Sequence, residues 1–157
     1  MGMSKDISLE WGFHLHGKRV YFDANIFIYL LEHHPDLGEV CLSIVQSAVD
    51  KELDGYSGEL VLAELLVKPL KDNNARAVQA VKDLFTNDTR IELLPHTKTA
   101  FINAAHLRAN YKIKLPDALH IATAVENHMD IFLTNDREIP SIPEITVLNL
   151  PLAQRVA

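Results

Sequence analysis

Arg19-Val20-Tyr21-Phe22-Asp23 runs directly into Ala24-Asn25-Ile26-Phe27-Ile28-Tyr29-Leu30-Leu31. The first part is a short β-branched and aromatic run and reads as a buried strand. Ala24–Leu31 has helical length and content. Asp23 therefore emerges at the carboxyl end of a strand, the edge where open α/β sheets bind their ligands.

The same alternation continues along the chain. Asp36-Leu37-Gly38-Glu39 places acids at both key positions of a capping box, predicting a helix through about Lys51. Val40, Ile44, Val45, Ala48 and Val49 form its core-facing stripe. Gly55-Tyr56-Ser57-Gly58 reads as a very short strand or a turn. Glu59–Leu70 is expected to be a helix ended by Pro69, and Asn74–Phe85 another. Ile91-Glu92-Leu93-Leu94-Pro95 is a strand leaving into a loop. Helices follow from Thr97 to about Tyr111 and from Pro116 or Asp117 to His128. Ile131-Phe132-Leu133-Thr134 is the cleanest buried strand, and Thr146–Leu150 the last. Strands alternating with helices predict an α/β sandwich around a mostly parallel sheet. Residues 1–18 lack periodicity and form an N-terminal extension without an assigned role. Residues 19–150 form one domain, and 151–157 a tail.

With 157 residues, 48% hydrophobic and 23% charged, the chain has the size and composition of one globular domain. The single Cys41 excludes an internal disulfide framework and a thiolate metal cage. No apolar run reaches the ~18 residues of a membrane span, and the N-terminus lacks a signal-like apolar region. The expectation is a soluble, cytoplasmic protein without a membrane partner. The net charge of −6 argues against a general nucleic-acid coat. Residues 65–116 nevertheless carry nine Lys/Arg against four acids, while the remainder carries six against seventeen. Such a basic middle can present phosphate-binding groups beside an acidic site, although solvated helix faces give the same pattern.

Much familiar chemistry is missing. The six glycines, all within the first 58 residues, form neither GxGxxG nor GxxxxGK[ST]. There is no HExxH and no GxSxG, and Cys41 sits on an apolar helical pattern as a packed thiol. The pairs His14/His16 and His33/His34 have no partners at metal-ligand spacing and read as surface residues. What remains is carboxylates: Asp23 and Asp136 after two strands, Asp117 behind Pro116 at a helix start, and Glu64 inside Leu60-Val61-Leu62-Ala63-Glu64-Leu65-Leu66. Taken singly, each has an ordinary explanation as a cap, turn or wet-face residue. Together, if the strand ends converge, they form one acidic pocket. Two like charges ~5 Å apart repel by roughly 3 kcal/mol at an effective dielectric near 20. A cation or shared protons must offset that repulsion. Oxygen ligands select Mg²⁺ or Mn²⁺, and a carboxylate-bound Mg²⁺ that keeps its waters suits phosphodiester hydrolysis.

Asp23-Ala24-Asn25, Ser57 with Leu60–Leu66, Pro116-Asp117-Ala118-Leu119-His120-Ile121-Ala122-Thr123-Ala124 and Leu133-Thr134-Asn135-Asp136 occur in that order. Together they resemble the PIN-domain nucleases, especially the VapC-like toxins of toxin–antitoxin pairs. The resemblance runs from about Arg19 to Leu150. It implies a three-layer sandwich around a five-stranded parallel sheet of order 3-2-1-4-5. It also implies a Mg²⁺- or Mn²⁺-dependent endoribonuclease that leaves 5′-phosphate and 3′-hydroxyl ends. In that pattern Asp23 and Asp117 are the primary metal ligands, Asp136 completes the site, and Glu64 binds a second metal or positions water. Thr134 and Asn135 shape the loop, and Asn25 holds the Asp23 turn or contacts the phosphate. His120, one helical turn from Asp117, packs or orients that turn. Candidate RNA-binding groups are Arg76, Lys82, Arg108, Lys112 and Lys114. The implied partners are RNA, a small antitoxin covering the acidic pocket, and a second copy in a homodimer or higher oligomer.

Two departures stand out: the long extension before the first strand, and the acidic net charge. Phosphoryl-transfer folds that also place an Asp after strand one fit poorly. The haloacid-dehalogenase pattern needs an acid where Asn25 stands, and the receiver pattern a lysine where Asp136 stands. A catalytically silent PIN-like module that only binds a protein or RNA partner is the alternative left open.

Overall fold

The computed structural model describes residues 14–150. Five strands, β1 (Arg19–Phe22), β2 (Asp54–Gly58), β3 (Ile91–Leu94), β4 (Ile131–Thr134) and β5 (Thr146–Asn149), pair in parallel in the order β3-β2-β1-β4-β5. Six helices are present among the described residues: α1 (Ala24–Leu31), α2 (Gly38–Val49), α3 (Leu60–Lys71), α4 (Ala75–Leu84), α5 (Lys98–Asn110) and α6 (Leu115–Glu126). This is the expected three-layer α/β sandwich with the expected strand order.

Side-chain alternation along the central strands builds the layers. Val20 and Phe22 of β1, with Ile131 and Leu133 of β4, enter a core shared with α1 to α4. Tyr21 and Phe132 point the other way, into a core with α5 and α6, and their rings stack at 5.6 Å. A strand covered on both faces needs apolar residues at every position, which is why RVYF and IFLT read as continuous runs. Gly55-Tyr56-Ser57-Gly58 belongs to β2, without such a run. A Cβ on Gly55 would meet Ile91, Phe22 and Ala48 side-chain atoms at 2.9–3.1 Å, so glycine lets α2 and β3 close on the sheet.

Several local expectations are corrected. No side chain caps α2: its N-cap is Leu37, and the backbone N–H groups of Asp36 and Leu37 donate instead to His34 Nδ1. His34 is thus a structural acceptor, half-buried, while His33 is exposed. Pro69 lies inside α3, which continues to Lys71. One missing N–H near a helix end costs little when Asp72 N–H still closes the last turn onto Lys68. Cys41 is the packed thiol anticipated, and burial pushes it up to about 12. The core also begins earlier than β1, because Leu15 is buried in the first cluster and Gly17 N–H bonds Glu52 O at 2.7 Å. The rest of the extension, residues 1–13, and the tail at 151–157 lie outside the described residues. Among those described, no helix is long and apolar enough to cross a membrane.

Candidate active site

The strand order reverses between β1 and β4, and at their carboxyl ends this leaves the crevice where α/β sheets bind ligands. Asp23 stands at that point, 4% exposed, as the N-cap of α1. Its Oδ1 accepts the Ala24 N–H at 2.8 Å. Its Oδ2 accepts the Thr134 hydroxyl at 2.7 Å and the Asn25 amide at 3.2 Å. Asn25 Oδ1 accepts the Asn135 N–H, and Thr134 Oγ1 accepts the Asp136 N–H. Asn25 and Thr134 therefore stitch the turn after β1 to the loop after β4. Asn135 Nδ2 reaches the Tyr29 hydroxyl at 3.1 Å, and Ser57 Oγ donates to Phe22 O at 2.8 Å, one residue before Asp23. Burial pushes the Asp23 carboxyl above its ordinary range, opposed by the Thr134 bond, the His120 ring and the Ala24 N–H.

Asp117 lies in the first turn of α6 behind Pro116. A helix N-terminus ordinarily favours the charged carboxylate. Here the balance is reversed: burial, then the charges of Asp23, Asp136 and Glu64, push Asp117 up to about 6, with His120 opposing. The four expected acids thus share one electrostatic neighbourhood. Glu64, on α3, is 28% exposed and lies with Oε1 2.5 Å from His120 Nε2. His120 thus engages Glu64 rather than only its own helical turn.

Asp117 and Asp136 line a cleft of about 550 Å³ together with Arg108, Lys112 and Lys114. Three of the five basic candidates therefore stand beside the acids. Arg76 and Lys82 project from α4 into solvent and do not line this cleft.

Sequence reading missed the layer beneath the acids. Tyr21 Oη lies 2.6 Å from His120 Nδ1. His96 Nε2 accepts the Leu60 N–H at 3.0 Å, capping α3, so its proton sits on Nδ1, 2.7 Å from Thr123 Oγ1. Burial, then His120, lower the His96 pKa, in keeping with that neutral acceptor. A Cβ on Gly58 would overlap both Tyr21 Oη and the His96 ring, so only glycine admits this layer. The one advance signal was a histidine on the otherwise apolar face of α6.

Among the described residues, no group of three or more His, Cys, Asp or Glu side chains is placed to hold a metal ion by itself. The donor set is all oxygen and mutually repulsive. That fits Mg²⁺, which keeps several waters and takes one or two protein carboxylates, better than an all-protein site.

The chain is 34% identical over 109 residues, 62% of its length and 77% of the relative's, to a Rickettsia bellii protein named ribonuclease VapC. Its fold is similar to VapBC2 from Rickettsia felis, solved bound to a DNA fragment from its promoter. The TM-score is 0.66 at 23% identity, covering 84% of this chain and 98% of that one. A DNA-bound VapBC from Salmonella typhimurium gives 0.61 at 17% identity, covering 85% and 99%. The PIN domain family matches residues 20–145, a span that includes all four acids. On that match the chain belongs to the PIN-domain family.

Proposed function

We propose that this chain is a divalent-cation-dependent endoribonuclease acting in the cytoplasm as the toxin of a toxin–antitoxin pair. The observation that carries the reading is the meeting of Asp117 and Asp136 on one cleft at the strand ends where Asp23 is buried, like charges that a bound Mg²⁺ or Mn²⁺ would offset. The resemblance to ribonuclease VapC supplies the substrate class.

Asp23 and Asp117 would hold the cation, Asp136 would complete the site through the waters the ion keeps, and Glu64 would bind a second ion or a water. Bound there, the cation supplies charge that activates water and stabilises the departing 3′ oxygen. Thr134 and Asn25 keep Asp23 in place, so its carboxylate need not reorganise. Arg108, Lys112 and Lys114 bind the phosphates flanking the scissile bond. The water oxygen bonds to phosphorus and the P–O3′ bond breaks, leaving 5′-phosphate and 3′-hydroxyl ends.

A second groove, of about 410 Å³, runs from Glu64 between α1, α3 and α4, with Ile28, Leu31, Leu65 and Val81 along it. An antitoxin segment laid there would end at the acidic pocket. Exposed Phe101, Ile102 and Leu115 offer apolar surface for self-association.

The test is cleavage of mixed RNA by the purified, partner-free protein with Mg²⁺ or Mn²⁺. EDTA, Asp23→Asn and Asp117→Asn should each abolish it, with the variants still folded. Cleavage by either variant near the wild-type rate overturns the assignment. Complete inactivity of the folded wild type with both metals favours the silent binding module.

A further inference from the structure

We propose that Tyr21 and His120 are positioning residues for Glu64, the phenol fixing the imidazole so that its Nε2–H holds the glutamate carboxylate at the acidic cluster. The proposal rests on the reading above in one respect, that Glu64 belongs to the cation site.

Three elements meet in one hydrogen-bonded chain. Tyr21 comes from β1, His120 from α6 and Glu64 from α3. The links are 2.6 Å from Tyr21 Oη to His120 Nδ1 and 2.5 Å from His120 Nε2 to Glu64 Oε1. Tyr21 and His120 are fully buried, while Glu64 retains access to solvent. Aromatic contacts hold the ring in place: Tyr21 meets it edge-on at 5.6 Å and His96 at 5.5 Å.

The protons can be counted along this chain. A carboxylate only accepts, so the proton in the second link belongs to Nε2. The 2.6 Å link joins the phenol oxygen to Nδ1 and ties down the far side of the ring. The ring is thereby pinned through both nitrogens, with Nε2 facing Glu64. This is the logic by which outer partners orient metal-ligating side chains. With Oε1 engaged, Glu64 has Oε2 left to offer. Without the phenol, Nδ1 loses the partner that holds the ring. Nε2 would then no longer be held on the carboxylate, and the partly exposed Glu64 would turn away.

The experiment uses the full chain, wild type and five variants: Tyr21→Phe, His120→Gln, His120→Leu, Glu64→Gln, and Tyr21→Phe combined with Glu64→Gln. Each is checked for folding by thermal unfolding, and its affinity for Mn²⁺ alone is measured by calorimetry. The wild-type tautomer of His120 is read from ¹⁵N NMR. The expected result is a protonated Nε2, and Mn²⁺ affinity about 10-fold weaker in Tyr21→Phe and His120→Leu. His120→Gln, whose amide N–H replaces Nε2–H, should recover most of that loss, which a purely structural role would not predict. Tyr21→Phe should add nothing once Glu64 is Gln. A Nδ1–H tautomer overturns the proposal. So does unchanged affinity in folded Tyr21→Phe and His120→Leu when Glu64→Gln weakens binding. If Glu64→Gln itself binds Mn²⁺ as the wild type does, the failure lies in the underlying reading of Glu64, and the proposal falls with it.

Discussion

Thr134 donates its hydroxyl proton to Asp23 Oδ2 at 2.7 Å, joining two residues 111 positions apart. Thr134 Oγ1 in turn accepts the Asp136 N–H at 3.0 Å and the Asn25 amide at 3.2 Å. One hydroxyl thus fixes the carboxyl ends of β1 and β4 relative to each other, and with them two of the acids.

Replacing Thr134 by Val keeps the shape and removes the hydroxyl. A buried carboxylate oxygen loses its shortest donor, and the Asp136 N–H loses its acceptor. The expected cost is about 2–3 kcal/mol, because each orphaned group pays desolvation without a partner. Asp23 should also become harder to ionise, since the Thr134 bond is the largest influence lowering its pKa. Thr134→Ser retains the hydroxyl and should recover most of the stability. Urea unfolding of the two variants checks this, and a Val variant as stable as wild type would show that the bond contributes nothing.

How much of this was legible in the sequence depended on the range of the interaction. RVYF and IFLT revealed themselves because strands buried on both faces are apolar throughout. The short β2, DGYSG, read equally as a strand or a turn, because two of its positions are glycines that admit close approach by Ala48 and by the Tyr21 and His96 side chains. Asp23, Asp117 and Asp136 stood out by their places at element ends. Tyr21 did not: in a strand it looks like any core aromatic, and its polar role exists only because His120 lies opposite across 99 positions. The helix starts show the same limit, since α2 and α3 take acceptors from His34 and His96 rather than from side chains at their own N-caps.

Asp117 gives a pH prediction whose sign is fixed. Its folded pKa of about 6 lies above the ordinary 3.8, so the folded state binds the proton more tightly than the unfolded chain. Its contribution is fully present below about pH 4 and is lost as pH rises through about 6. Asp117→Asn removes the penalty of ionisation. In EDTA at pH 8 the variant should therefore be more stable than wild type, by about 1 kcal/mol once solvent screening of this partly exposed group is allowed for. At pH 4 the two should coincide. Mg²⁺ should then stabilise the wild type more than the variant. Thermal unfolding across this range decides it, and equal stability at pH 8 in EDTA would contradict the mutual repulsion on which the cation site rests.

The basic groups divide by position rather than by charge. Arg108, Lys112 and Lys114 line the cleft with Asp117 and Asp136, whereas Arg76 and Lys82 stand on the exposed face of α4. At a net charge of −6 the chain as a whole repels RNA, so binding must come from groups that reach the phosphates locally. Each phosphate contact to a single strand contributes about 0.7 to the slope of log affinity against log salt. Lys112→Ala should lower that slope by about this amount and weaken binding at every RNA sequence alike, and Lys114→Ala should do the same. Arg108→Ala should lose somewhat more, because its guanidinium also donates to Ile113 O at 3.1 Å and holds the turn into α6. Arg76→Ala and Lys82→Ala should leave affinity and slope unchanged. Fluorescence anisotropy with a short single-stranded RNA, on the Asp23→Asn background to prevent cleavage, measures all five. A slope change from the α4 pair equal to that of the cleft trio would move the RNA path to the other side of the acidic site.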